Sequence, residues 1–224
     1  MRRFAKENGL SLFFLGLFLA ALVGQAIAGY HEYNEDQVTH DGETISFGRY
    51  LTSSAFGQAV MENWQSEYLQ FTLFLLATVW LLQKGSPESK ELTRAGRESD
   101  QDQLVGRHAS PRSPAWARAD GLKRRIYENS LLLVMGFLWL GSWFAQSVTG
   151  WSSFSADQVE HGEGSMGYWE YLGSSDFWET TLQNWQSEFL AVGSMAVFAI
   201  YLRQRGSPES KPVGATHEAT GVEG

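Results

Sequence analysis

Cysteine is absent from all 224 residues, which excludes disulfides, thiolate metal sites and thiol catalysis. Catalytic signatures are missing too. There is no nucleophile elbow, phosphate-cradling loop, paired-histidine zinc motif or pair of haem ligands inside an apolar segment. The expectation is a protein that is not an enzyme and carries no cofactor. Positive charge is missing from two long stretches: of 17 Lys and Arg, only Arg49 lies in the connections inside the repeats described below. Even average hydropathy is low, at −0.24, as in a soluble protein. That average conceals the pattern, because it mixes apolar blocks with very polar connections.

The blocks are four, at about 9–28, 68–82, 131–149 and 189–202. Each approaches the roughly 20 residues that cross a bilayer core at about 1.5 Å per residue, although the second and fourth are shorter. They come in two pairs because the chain contains one unit twice. Asn63-Trp64-Gln65-Ser66-Glu67 recurs as Asn184-Trp185-Gln186-Ser187-Glu188, and Gly85-Ser86-Pro87-Glu88-Ser89-Lys90 as Gly206-Ser207-Pro208-Glu209-Ser210-Lys211. The offset is a constant 121 residues (63 to 184, 85 to 206), and Gln25/Gln146, Gly29/Gly150, Asp36/Asp157 and His40/His161 keep it. Roughly 30 of about 84 aligned positions are identical, far above chance for a fixed-period repeat.

Met1-Arg2-Arg3, the apolar stretch after it and Ala26-Ile27-Ala28 have the form of a signal peptide with its cleavage site. The matching block at 131–149 lies deep in the chain and ends Gln146-Ser147-Val148-Thr149, with no such site. Retention of the first helix is therefore expected. Sixteen of the basic residues lie in the N-terminal tail, the middle linker or the C-terminal tail, whereas 14 of the 25 acidic residues lie in 32–67 and 157–188. Lys and Arg stay cytoplasmic, so both termini and the linker are expected inside.

The fold predicted is all-α: an integral membrane protein of four transmembrane helices, arranged as two duplicated helical hairpins in a parallel pseudo-two-fold repeat. Residues 1–90 form the first repeat and 124–211 the second, each with an acidic outer connection. The span 91–123 reads as a flexible cytoplasmic linker and 212–224 as a disordered tail, since neither composition can bury a core. Ser53 or Ser54, and Ser174 or Ser175, suit N-caps of long helices. Gly85 and Gly206 suit their C-caps, with Pro87 and Pro208 preventing continuation.

Four features invite a functional reading. Asn63 and Glu67 share a helix face, as do Asn184 and Glu188, and Gln25 and Gln146 lie near the outer ends of the neighbouring helices. Six polar groups at one depth either form a site for an ion, proton or small polar ligand, or lock the hairpins by interhelical hydrogen bonds. Asp36 with His40, and Asp157 with His161, pair a carboxylate and an imidazole four residues apart, a spacing compatible with a shared metal. Two ligands per copy close no metal site unless the copies meet, and a solvated acidic loop or an Asp N-cap explains the same residues. A ridge of small residues, Gly16, Ala20, Gly24 and Ala28, has its match in Gly141, Ala145 and Thr149. It permits close helix contact within the chain, with a second copy or with another membrane protein. The repeated Gly-Ser-Pro-Glu-Ser-Lys reads as helix termination or as a cytoplasmic docking motif.

The doubled Asn-Trp-Gln-Ser-Glu-(Phe/Tyr)-Leu string, followed by Gly-Ser-Pro-Glu-Ser-Lys, resembles an uncharacterised bacterial family of small tandem-repeat, four-span membrane proteins. The resemblance covers both repeats. It implies a bacterial plasma-membrane protein in contact with the lipid bilayer and implies no activity. The expected function is that of a structural or interaction protein of the cell envelope, with a small transporter or channel built on the Glu/Asn/Gln cluster as the alternative. No nucleic-acid partner is expected. The topology predicts that a cysteine placed at Ser165 is labelled by a membrane-impermeant maleimide on intact cells, while one at Ser99 is not. Labelling of Ser99→Cys from outside would overturn it.

Overall fold

A computed structural model describes residues 2–223, and within them the chain is all-α, with eight α-helices and no strand. They are α1 (Arg2–Glu7), α2 (Gly9–Thr39), α3 (Phe47–Leu51), α4 (Ser54–Trp80), α5 (Leu122–Glu128), α6 (Ser130–Glu160), α7 (Tyr168–Tyr171) and α8 (Ser175–Tyr201). Helices at equivalent places in the two copies have equal lengths: 31 residues for α2 and α6, and 27 for α4 and α8. Two helices, α2 and α6, are long and apolar enough to cross a membrane. In α4 and α8 the helix stops at Trp80 and Tyr201. The apolar run after Glu67 or Glu188 is thus about 20 Å of helix, short of a bilayer core of about 30 Å.

The chain divides into two compact units, Met1–Val60 with Ala145–Tyr168, and Met61–Phe144 with Trp169–Gly224. Both copies contribute to each.

In the first unit, α2 continues about 11 residues beyond its apolar block, to Thr39. No breaker interrupts Tyr30–Val38, and the helix ends only where Asp41 takes a positive φ of 58°. Gly162, the equivalent residue after α6, has φ 79°. This left-handed turn is a common helix stop, natural for Gly and tolerated by Asp. Asp36 and Asp157 accordingly lie in the last helical turn rather than at the N-cap of a following turn or in a loop. The returning chain is pinned to the helix by side chains. Asn34 Nδ2 donates to the Ile45 carbonyl at 3.1 Å, and its Oδ1 accepts from the Ile45 amide at 2.8 Å. In the second copy the equivalent Met166 carbonyl accepts from Trp151 Nε1 at 2.7 Å. Tyr50 is buried against Tyr30, Tyr33 and Phe56.

The serine caps form as expected. Ser53 Oγ accepts from the Phe56 amide at 3.2 Å, and Ser174 Oγ from the Phe177 amide at 3.3 Å. Each such cap is worth about 1 kcal/mol. The glycine caps do not. Gly85 (φ 86°) and Gly206 (φ 82°) each lie five residues past the helix end (80 to 85, 201 to 206), at the third position of tight turns closed by Ser86 N to Gln83 O and Ser207 N to Gln204 O. A positive φ there is the requirement of a type II turn.

The glycines of the small-residue ridge make no tight contact within this chain. A Cβ added at Gly16, Gly24 or Gly141 would meet nothing within 4 Å. The close approaches are at Gly29, where it would overlap the Tyr50 hydroxyl, and at Gly57, where it would lie 2.9 Å from Thr149 Cγ2. Thr149 is short and β-branched and cannot swing aside. Gly57→Leu is therefore expected to cost about 1–3 kcal/mol by overpacking, read as a lower melting temperature in detergent. Gly24→Leu should leave the melting of the single chain unchanged. The reverse ranking would place the tight crossing on the ridge after all.

Candidate functional site

The six residues of the expected polar cluster divide between the units. In the first, Gln25 Nε2 donates to the Ala59 carbonyl at 3.2 Å, spending the amide on α4 backbone. Gln146 is 1% exposed, and its Oε1 has no hydrogen-bond partner among the described residues. In the second, Asn184 Nδ2 donates to the Thr180 carbonyl one turn back at 2.9 Å. Asn63 and Glu67 are exposed and Glu188 is half-buried. Glu188 feels the charge of Glu67, so these equivalent carboxylates are near neighbours.

The strings around them are used differently in the two copies. Gln65 is fully buried and accepts from Trp185 Nε1 at 2.7 Å, while its own Nε2 donates to the Glu62 carbonyl at 3.0 Å. The equivalent Gln186 is exposed. Trp185 also leans on Trp143, whose indole stacks on Trp139 and Phe177. Beside this aromatic stack lies an acidic group that sequence reasoning missed. Tyr171, 1% exposed, hydrogen-bonds Asp176, and Glu62 is close enough to act on both. Burial and the Asp176 charge raise the Glu62 pKa. Burial, Asp176 and Glu62 together raise that of the Tyr171 hydroxyl. The signal was weak, because Glu62 has no equivalent acid in the second copy, where Gln183 stands.

After α4 and α8 the repeated Gly-Ser-Pro-Glu-Ser-Lys ties off each helix in the same manner. Ser89 Oγ accepts from the Gln83 amide and Ser210 Oγ from the Gln204 amide, both at 2.9 Å. The lysine then gathers the chain that follows. Lys90 Nζ bonds the Gly96 carbonyl at 2.9 Å and pairs with Glu98 at 2.6 Å. Lys211, 1% exposed, donates to the carbonyls of Thr216, His217 and Ala219 at 3.2, 3.0 and 3.3 Å. The carbonyl of the next-to-last helical residue is also closed at the same register. The Gly96 amide donates to Val79 at 2.7 Å, and His217 Nδ1 donates to Ile200 at 3.1 Å. The segment after Lys211 lies on the first copy's turn, with Gly85 N donating to Thr220 Oγ1 at 2.8 Å and Gly221 N to the Ser86 carbonyl at 3.0 Å. Between the two turns, Glu88 and Glu209 are hydrogen-bonded to each other.

Two carboxyls in that contact must share a proton. Burial first, and then Glu209, push the Glu88 pKa up to about 7.

The C-terminal ends of α2 and α6 show the same meeting of equivalents. His40 and His161 lie with ring centroids 5.6 Å apart. Each ring holds its own helix: Nδ1 lies 3.0 Å from the Asp36 carbonyl and 2.8 Å from the Asp157 carbonyl. The Asp157 carbonyl, aided by its carboxylate, raises the His161 pKa. Among the described residues no cluster of three His, Cys, Asp or Glu side chains is preformed for a metal.

The shared proton has a consequence for stability. A carboxyl whose pKa is raised in the folded protein favours folding fully only below its ordinary range, and that contribution is lost as pH rises through the raised value. Melting of the detergent-solubilised protein is expected to fall between about pH 5 and about pH 8. Glu88→Gln should flatten that slope, because the amide supplies a permanent donor to Glu209. An unchanged slope in the variant would show that the pair does not carry it.

The chain matches no curated protein and no solved structure. Its similarity is to a family of sequences, extending over residues 1–222 and therefore over both copies, the linker and nearly all of the tail. The chain belongs to the family described as a domain of unknown function, DUF6766.

Proposed function

We propose that this chain is a four-span integral membrane protein of two duplicated helical hairpins related by a parallel pseudo-two-fold, serving as a structural or interaction protein of the bacterial cell envelope, with both termini and the linker cytoplasmic. The observation that carries it is the outward-turned apolar surface of the two longest helices. Leu10, Phe13 and Phe14 on α2, and Leu131, Phe137 and Phe144 on α6, are each more than half exposed. In water that surface costs about 25 cal/mol for every Å², and lipid removes the cost. The shorter apolar runs of α4 and α8 complete the spans if Glu67 and Glu188 sit at the outer headgroup level and the bilayer thins to meet them.

A structural role is supported by where the amides are spent. Gln25 and Asn184 bond backbone carbonyls, so these two amides are committed to the helices. The stripe of Gly16, Ala20 and Gly24 has open space beside it. It is the face on which a second copy or another membrane protein would pack closely.

A transporter or channel is the second reading, favoured by the proximity of Glu67 and Glu188. Reconstitution separates the two. Proteoliposomes of the purified chain are expected to show no pH- or cation-driven flux above empty vesicles. A flux abolished by Glu67→Gln or Glu188→Gln, with melting unchanged, would replace the structural reading with transport.

A further inference from the structure

We propose that His40 and His161 form a binding site for a borderline divalent transition metal, zinc or copper(II), that ties the outer ends of the two copies together. The inference is independent of the structural role proposed above.

The argument begins with the ring nitrogens. A carbonyl oxygen only accepts, so each Nδ1 facing one must carry the hydrogen. In the neutral ring Nε2 is then the bare nitrogen, and both histidines are fixed in the tautomer that offers it. The Asp36 and Asp157 carboxylates stand 3.3 and 3.5 Å from the same Nδ1 atoms. A carboxylate or carbonyl behind the far nitrogen is the usual support of a metal-bound imidazole, holding its orientation and raising its basicity.

The spacing fits. A metal held at about 2.1 Å by both Nε2 atoms in a tetrahedral arrangement sets the ring centroids roughly 5 Å apart. The observed separation is 5.6 Å, close to that value. The side chains are 45% and 51% exposed, which leaves an entry path.

The local field asks for a cation. α2 and α6 both end here, and helix C-termini carry partial negative charge. Asp36, Asp157 and Glu160 add to it with no lysine or arginine in either last turn. Glu160 is the next donor, held by Gln37 Nε2 at 3.3 Å and positioned beside Gly42. With two imidazoles as protein ligands, water fills the remaining positions, and copper(II) should bind more tightly than zinc.

The test uses the full chain in detergent, stripped with chelator, near pH 7.5, with copper(II) alone and then zinc. One copper per chain is expected, with an electron paramagnetic resonance spectrum showing two imidazole nitrogens. Each of His40→Ala and His161→Ala should reduce that to one nitrogen and weaken binding at least tenfold. Zinc should displace the copper only in large excess, and calcium at the same excess should not. Asp36→Ala should weaken binding by about tenfold while keeping both nitrogens. The wild-type spectrum reads the ligands without relying on any variant. A spectrum with oxygen ligands only, binding retained in the double histidine variant, or displacement by calcium would show mere screening of the acidic tips and overturn the site.

Discussion

A chain that carries one unit twice brings some residues against their own equivalents, and such like pairs cannot act as ordinary polar contacts. Two carboxylates repel unless a proton lies between them, and two imidazoles attract nothing to each other until something positive is shared. Glu88 with Glu209 and His40 with His161 stand in this position. Each adds a contact whose strength depends on a small positive species. The duplication thus sets the chemistry of the places where the copies adjoin. Nothing in the rest of the fold asks for it, since the caps, turns and lysine anchors would serve a single unit equally well.

Those local devices explain why the repeated strings persist in both copies. A helix leaves its last four carbonyls without partners. The Gly-Ser-Pro-Glu-Ser-Lys turn answers by folding the chain back, so that an amide at Gly96 or a ring nitrogen at His217 reaches the carbonyl at Val79 or Ile200. A lysine ammonium with three donors then holds the returning strand of carbonyls. Lys211 does so while nearly excluded from water. Burial and the neighbouring Arg203 both pull its pKa down, so the three carbonyls offset the loss of hydration.

Much of this was legible in the sequence. The helices, their equal lengths in the two copies and the serine caps follow from apolar blocks and spacing, which are local signals. The helix ends were not. Gly85 and Gly206 carry the mark of a C-cap, but the mark only says that φ is positive, and a tight turn a few residues on uses it as well as a cap does. Helix α2 runs past its apolar block because Tyr30–Val38 contains no breaker, and hydropathy is blind to polar helix. The glycines of the small-residue ridge meet nothing within the chain, a point on which the pattern itself was silent. Which face of a helix meets another within the chain depends on tertiary geometry, and Gly57, alone in its sequence context, gave no periodic signal. The candidate cluster was read as one group because its members lie at one depth. Depth says nothing about azimuth around the helices, and Gln25 bonds backbone while Glu67 is exposed.

The Trp185–Gln65 bond shows what covalent linkage of the two units permits. A symmetric pair made from two separate single-unit chains would form that bond twice or not at all, since any change in one gene alters both partners. Here the indole of one copy meets the buried amide of the other, while Gln186 stays exposed. Within one chain the halves are free to differ at the very positions where a homodimer would have to be self-complementary. The present chain is in that sense a heterodimer with a tether, and a molecule assembled from two identical halves would no longer reproduce it.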